Sequence, residues 1–323
     1  MRVHTLTRRK TLTIVPKAPF HFDGTFHKPS HFPDQLEDWE PGVFWQTIRL
    51  RGHIFGVKIE NQGTVAKPKL RVGIYSDRLV SSADADAIRH ELSWLFGIDE
   101  DLGAFIHLAK KDRRFFPVFK KWLGMRSSSA HNLYGLIIVA VVLQNATVRR
   151  SVQMLKALLS RFGVRVRFDG KELYAFWQPA ELENVTEQKL RDLRIGYRAK
   201  FIKRLSQDFA LGKINEHKLR GSDKATTEDA LKKLYGVGPE TARILLFEAF
   251  RHYDTFEHIA PWQQKIYSRL FYGKSRVSVE KIRRDIQRRY GSYAMLAVHY
   301  IWEDIFWRRK HEHIEWLDRE IRL

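Results

Sequence analysis

The chain has 323 residues, 44% of them hydrophobic, with nine Trp and 21 Phe, which is enough apolar material for two or three packed domains and excludes a disordered chain. Lys and Arg outnumber Asp and Glu by 57 to 37, and the formal net charge of +20 favours polyanionic partners, mainly nucleic acid. Cysteine is absent, which excludes disulfides, zinc–thiolate sites, iron–sulfur clusters and thiol nucleophiles.

The first hundred residues show the alternating and β-branched patterns of strands. We expect strands at 44–50, 53–59 and 70–74, because Gly, Asn and Pro separate these segments. A helix is predicted at 82–95, where carboxylates in the first turn suit the helix dipole. Residues 1–97 are therefore predicted to form a small, antiparallel β-rich domain.

From about residue 99 onward the apolar spacing is helical almost throughout. The predicted helices are 99–110, 115–123, 132–143, 148–162, 187–192, 199–211, 227–234, 239–250, 263–270, 279–290 and 293–308. Residues between 162 and 187 are less regular and are expected to be a connection. The fold class is thus α+β, with the β-rich domain followed by an all-α domain at 98–323.

No segment has the pattern of a membrane span or a signal peptide. The longest apolar run, 133–143, is too short to cross a bilayer and predicts a buried helix. The basic N-terminus is not followed by the apolar core of a signal peptide. We expect a soluble cytoplasmic protein without membrane partners.

Residues 231–239 read as two helices joined by a turn with two glycines. Gly236 and Gly238 permit positive φ and close backbone approach, and Pro239 suits a first helical position. Free N–H groups at the start of the second helix can hold a phosphate. An ordinary corner between two helices is the alternative for this pattern alone.

The full string 234–242 resembles the helix-hairpin-helix of base-excision DNA glycosylases. The resemblance extends to the segments at 19–23, 143–147, 161–163 and 195–200, and within the superfamily it is to 3-methyladenine DNA glycosylase II and 8-oxoguanine DNA glycosylase. It implies two helical subdomains with the active-site cleft between them.

The resemblance also implies how the hairpin binds DNA. The residues expected to contact the DNA backbone are Gly236, Val237, Gly238 and Thr241. The backbone carbonyls of Lys232, Leu234 and Val237 would hold a monovalent cation, Na⁺ or K⁺. No cofactor is expected for the chemistry.

The same resemblance assigns the residues that replace and read the bases. Asn145 would fill the gap left by the flipped nucleotide, although a helix N-cap is the alternative for an Asn here. Arg150 and Arg198, with Tyr197 beside the latter, match the residues that read an orphaned cytosine; a solvated surface charge is the alternative for each arginine alone.

The base pocket is expected to contain Trp302, Trp262 and Ile244. Trp302 matches the aromatic residue that stacks on the flipped base, and an indole face favours a cationic alkylated purine. Packing in the core is the alternative for Trp302. Ile244 replaces the cysteine that lines the pocket of many 8-oxoguanine enzymes, which weakens that assignment.

Two positions depart from the chemistry of the family. Glu240 stands where bifunctional members have a nucleophilic Lys, so no Schiff base is expected at this position. Gln263 stands in the slot of the catalytic Asp, and a neutral amide can neither offset a positive charge nor act as a general base.

Three explanations for Gln263 stay open. It could be an engineered replacement of a native Glu, a natural residue in enzymes that remove unstable cationic bases, or the mark of a lesion binder without catalysis. Three other carboxylates are within reach by sequence: Asp254, Glu257 and Glu303.

The predicted function is that of a monofunctional DNA glycosylase in base-excision repair. It would act as a monomer on double-stranded DNA, flip out a damaged, alkylated purine and hydrolyse its N-glycosidic bond. The alternatives are excision of 8-oxoguanine and non-catalytic binding of damaged DNA.

Overall fold

The computed structural model describes residues 3–320. Its first sheet is antiparallel and has five strands, β2 Arg8–Ile14, β3 Glu37–Glu40, β4 Val43–Leu50, β5 His53–Asn61 and β6 Leu70–Ser76. Their order across the sheet is β2-β6-β5-β4-β3. The three strands predicted from the sequence, 44–50, 53–59 and 70–74, are confirmed. Arg51 and Gly52 both have positive φ, as a two-residue hairpin turn requires, and they pair Leu50 with His53.

A second, three-stranded sheet corrects the expectation of an irregular connection after residue 162. Its strands are β1 His4–Thr5, β7 Val164–Phe168 and β8 Lys171–Ala175, and β7 pairs with both others. Asp169 and Gly170 form the turn between β7 and β8 with positive φ at both positions. Asp169 accepts hydrogen bonds from Tyr75 Oη at 2.6 Å and Trp45 Nε1 at 2.8 Å, so this hairpin packs on the first sheet.

The helices follow the predicted order, with extra short helices. Their bounds are α1 Phe22–Phe26, α2 Ser82–Leu95, α3 Gly103–Lys111, α4 Phe116–Lys121, α5 Leu133–Leu143, α6 Val148–Phe162, α7 Glu187–Arg191, α8 Arg198–Ala210, α9 Glu216–Leu219, α10 Lys224–Lys232, α11 Pro239–Glu248, α12 Pro261–Tyr272, α13 Val279–Tyr290, α14 Ala294–His311 and α15 Glu315–Glu320. Among these, no helix is both long and apolar enough to cross a membrane.

The helices pack around two hydrophobic cores. One core contains α5, α6 and α8, and the other contains α12, α13 and α14. Helix α11 contributes to both, because Leu245 belongs to the first core and Phe247 to the second. The predicted mixed α+β fold is therefore confirmed, and α11 contributes residues to both cores. The division of the helical part into two subdomains stays a prediction.

A buried arginine joins the β-rich part to the helices. The Arg126 guanidinium donates to the carbonyls of Gly97 at 3.1 Å, Lys17 at 2.8 Å and Glu100 at 3.0 Å. Hydrogen bonds to a charged donor satisfy these carbonyls, which lie on both sides of the predicted boundary between residues 97 and 98. That boundary stays a prediction.

Candidate nucleic-acid interface and base cleft

The turn between α10 and α11 has the compact form expected of a backbone-binding hairpin. Gly236 has a φ of 89°, and a Cβ at this position would lie 2.8 Å from Cγ of Phe201. The N–H of Val237 donates to the carbonyl of Leu234 at 3.1 Å. Both the backbone conformation and the contact with Phe201 require glycine at position 236.

Helix α11 begins directly after this turn. Gly238 is its N-cap and has no side chain to bond the first-turn N–H groups, and Pro239 occupies the first turn. The N–H groups of Glu240 and Thr241 therefore keep their donor capacity, at the end of the helix where the dipole attracts anions.

Asn145 lies in the turn between α5 and α6, with an exposed side chain and a φ of 47°. Asn tolerates this left-handed conformation better than most residues. The N-cap of α6 is Thr147, whose hydroxyl accepts from the Arg150 N–H at 3.2 Å. The alternative role of Asn145 as the helix cap is therefore wrong, and its side chain stays at the surface, 3.3 Å from the Tyr197 hydroxyl.

The structure also identifies a residue that the sequence reasoning missed. Gln144 precedes Asn145, and its side-chain amide donates to the carbonyl of Gly236 at 2.9 Å. The two residues are 92 positions apart in the chain. The Asn145 turn and the hairpin turn are thus held side by side.

The two arginines differ in their surroundings. Arg198 is buried, and its guanidinium donates to the carbonyl of Val141 at 3.1 Å and to that of Gln144, both at the end of α5. Arg150 is half-buried and donates to the carbonyl of Arg194. Asn145, Arg150, Tyr197 and Arg198 are brought together as expected, but the Arg198 guanidinium binds the helix end in this state.

A cleft of about 460 Å³ lies beside these residues, within the range of ligand pockets. It is lined by three distant segments of the chain, from within 25–37, 128–144 and 240–248, and by Phe96. Helix α11 contributes one face to the wall, with Glu240, Ile244 and Glu248 at intervals of four residues. Ile244 is 43% exposed, so this predicted pocket residue does face the cleft.

The cleft lining also contains a half-buried acid and histidine pair that the sequence reasoning did not identify. Nδ1 of His31 lies 3.2 Å from Oε1 of Glu37. Burial, helped by nearby His27, lowers the pKa of His31 to about 4, and burial with nearby Asp34 raises the pKa of Glu37 well above its usual range. Burial therefore favours the neutral form of both groups. Within residues 3–320, His27, His31 and Glu37 are the only group of three side chains placed to share a metal ion.

The two predicted tryptophans are not among the residues that line the cleft. Trp302 is 8% exposed, belongs to the second helical core and donates its indole N–H to the Tyr267 hydroxyl. Trp262 is 45% exposed and packs on it with ring centroids 5.4 Å apart. The core role is thus the one observed for Trp302, and Trp262 presents the free indole face.

Gln263 caps the N-terminus of α12. Its Oε1 accepts a hydrogen bond from the Ala260 N–H at 3.0 Å, and the residue is not among those that line the cleft. This contact caps a free N–H at the helix start, a function that either Gln or Glu can perform.

The other carboxylates considered from sequence have structural partners. Glu303 is buried, where burial raises its pKa, and it accepts from the Ser30 hydroxyl at 2.6 Å. Asp254 and Glu257 both bind the Lys224 ammonium at the surface. None of the three lines the cleft.

Comparison with known proteins gives relatives of one kind. No protein-family model matches the chain. It is 23% identical over 266 residues to a "Probable N-glycosylase/DNA lyase" of Methanothermobacter thermautotrophicus, covering 76% of this chain and 81% of the relative. It is also 23% identical over 172 residues to a "DNA-3-methyladenine glycosylase" of Bacillus subtilis, covering 53% of this chain and 56% of the relative.

Solved structures show the same fold. The 3-methyladenine DNA glycosylase of Archaeoglobus fulgidus superposes with a TM-score of 0.73 at 18% identity, over 91% of this chain and 99% of that one. The 8-oxoguanine glycosylase/lyase of Clostridium acetobutylicum was solved in complex with double-stranded DNA containing cytosine opposite 8-oxoguanine. It superposes with a TM-score of 0.66 at 18% identity, over 95% of this chain and 99% of that one. The resemblance to helix-hairpin-helix DNA glycosylases that the sequence predicts is confirmed.

Proposed function

We propose that this chain, which has the fold of the DNA glycosylases and resembles two of them in sequence, is a monofunctional DNA glycosylase for damaged purines. The observation that carries the proposal is the bond from Gln144 to Gly236. It holds an exposed Asn145 beside a helix start that can bind phosphate, at the edge of a cleft. Extruding a nucleotide needs these three features in one place.

The hairpin supplies the grip on the DNA backbone. The first-turn N–H groups of Glu240 and Thr241 would bind a phosphate oxygen. The carbonyls of Lys232, Leu234 and Val237 would hold a Na⁺ or K⁺ ion; they are hard oxygen donors, and Leu234 O keeps a second lone pair after accepting from Val237. Such a cation would add an electrostatic contact to the phosphates of the same DNA strand.

Asn145 and the two arginines would contact the duplex at the position that the flipped nucleotide has left. Asn145 fills the gap in the stack, with the Tyr197 hydroxyl beside it. Arg150 and Arg198 would donate to the orphaned base, and for Arg198 this requires release of its bonds to the end of α5. The partner is double-stranded DNA with a damaged base, bound by a monomer.

Glu240 is the carboxylate that we assign to the sugar. It lines the cleft and lies in the first turn of α11, next to the N–H groups that bind phosphate. Water adds to C1′, the electron pair of the N-glycosidic bond leaves with the base, and the proton lost from water passes to solvent. A carboxylate offsets the positive charge that develops on the sugar during this step.

An alkylated purine is the first candidate substrate, because a cationic base leaves as a neutral molecule and needs no proton from the protein. Two of the similar proteins are named 3-methyladenine glycosylases. Excision of 8-oxoguanine is the second candidate, favoured by the grouping of Asn145, Arg150, Tyr197 and Arg198.

The test is release of free base from duplexes that carry 7-methylguanine, 3-methyladenine or 8-oxoguanine. Release of an alkylated base supports the proposal, and release of 8-oxoguanine alone supports the second candidate. Tight binding to a lesion without release from any duplex would identify a damage-binding protein. Binding should weaken about 10³-fold or more between 50 and 200 mM salt if six or more phosphates are contacted.

A further inference from the structure

The last residue of α11 has an environment unlike that of the other cleft acids. Glu248 is half-buried in the cleft wall, and within residues 3–320 its carboxylate has neither a hydrogen bond nor an ion pair. Among the other acids that line the cleft, Glu240 pairs with Arg243 at 2.5 Å and Glu37 with His31 at 3.2 Å. Glu248 alone of these three has no partner.

Glu248 is the last residue of α11, and it lines the cleft. An ionised carboxylate has only acceptors, and without a partner from the described part of the chain those of Glu248 are available to whatever occupies the cleft. A ligand with N–H donors would satisfy them.

The position of Glu248 on α11 indicates which part of the ligand it meets. Glu240, Ile244 and Glu248 follow one another along a single helix face, about 6 Å apart at each step. If Glu240 lies at the sugar, as the proposed function has it, Ile244 contacts the flipped base and Glu248 faces the far edge of that base.

We infer that Glu248 is a specificity residue that binds the Watson–Crick edge of a guanine-type lesion. An ionised carboxylate has only acceptors, and its two oxygens match the adjacent N1–H and N2–H donors of guanine. An adenine-type base presents an acceptor at N1, which the carboxylate repels. Among the candidate substrates, the inference selects 7-methylguanine and 8-oxoguanine over 3-methyladenine, and it rests on the proposed function.

The experiment compares Glu248→Gln with wild type and with Glu183→Gln, a control at an exposed glutamate outside the cleft. Single-turnover release is measured from duplexes with 7-methylguanine, 8-oxoguanine and 3-methyladenine. Glu248→Gln should lower release of the guanine-type bases about 10–100-fold, the effect of one bidentate contact, and release of 3-methyladenine less than threefold. The ratio between the release rates of the guanine-type bases and of 3-methyladenine does not depend on the amount of folded protein.

Equal loss on all three duplexes, or no loss on any, would overturn the assignment of Glu248. If wild type releases no base at all, the proposed catalysis is wrong. The role of Glu248 is then tested by the affinity of each protein for the lesion-containing duplexes. In that case wild type and Glu183→Gln should prefer a duplex with 8-oxoguanine over one with 3-methyladenine, and Glu248→Gln should lose the preference. An unchanged preference in Glu248→Gln would refute the proposed role of Glu248.

Discussion

The side-chain amide of Gln144 donates to the backbone carbonyl of Gly236 over 2.9 Å, and this single bond joins the two turns that we expect to meet DNA. One turn carries Asn145 and the other precedes α11. The relative position of the two turns can therefore be tested without altering any residue that contacts DNA through its own side chain.

Replacing Gln144 with Ala removes this bond and should weaken binding to an abasic-site duplex about 2–10-fold, the value of one neutral hydrogen bond. Fluorescence anisotropy at fixed salt measures the affinity. Gln188→Ala, at an exposed position on α7, is the control and should bind as wild type does. Equal affinities for both variants would show that the bond from Gln144 to Gly236 does not contribute to DNA binding.

Replacing Arg198 with Leu should lower the free energy of unfolding by about 2–4 kcal/mol, since two carbonyls at the end of α5 lose a charged donor. Urea unfolding monitored by circular dichroism measures the change. Arg191→Leu removes only an exposed ion pair with Glu187 and should cost under about 1 kcal/mol. A small effect at Arg198 would mean that its guanidinium is free to read a base.

Replacing Gln263 with Glu should leave base release within about twofold of wild type, because either side chain can accept from the Ala260 N–H. Replacing it with Ala should lower stability by about 1 kcal/mol through loss of the cap. Single-turnover release and urea unfolding measure the two effects. A tenfold gain in release with Glu would show that this slot needs a carboxylate and that the cap is secondary.

Replacing Glu240 with Lys places an amine at the cleft beside the hairpin. The amine should form a Schiff base with a preformed abasic site, so that borohydride traps a covalent protein–DNA complex. Wild type should give no trapped complex, since Lys28, the lysine in the cleft wall, donates to the Ser128 carbonyl at 2.6 Å. Trapping by wild type, abolished in Lys28→Ala, would contradict a monofunctional enzyme.

Replacing His31 with Gln should flatten the pH dependence of stability. The folded pKa of His31 is lowered to about 4, below the unfolded value near 6.5. As the pH falls from 6.5 to 4, the unfolded imidazole gains a proton that the folded one does not, so wild type loses stability in this window. Urea unfolding at about pH 7 and pH 4.5 should show a loss that is larger in wild type by on the order of 2–3 kcal/mol.

His107→Gln, at an exposed position on α3, serves as the control for this measurement. It should follow the wild-type pH dependence. The same slope in wild type, His31→Gln and the control would mean that the His31 imidazole is solvated in the folded protein.

The sequence by itself determined the features that depend on neighbouring residues. Two glycines and a proline at 236–239 specify a turn followed by a helix start, because backbone conformation and free N–H groups are local properties. Helices 82–95, 148–162 and 279–290 have the predicted bounds, since their apolar spacing and caps are also local. The strands at 164–175 were missed, although Asp169-Gly170 carries the signature of a hairpin turn.

Only the tertiary structure decided which of the matching residues face the cleft. Trp302 and Gln263 fit the expected pattern by position, but the fold buries one in a core and uses the other to cap α12. The cleft itself is assembled from segments that lie more than 200 residues apart. Burial, the pKa of His31 and the missing partner of Glu248 depend on contacts across that distance, and no local pattern encodes such contacts.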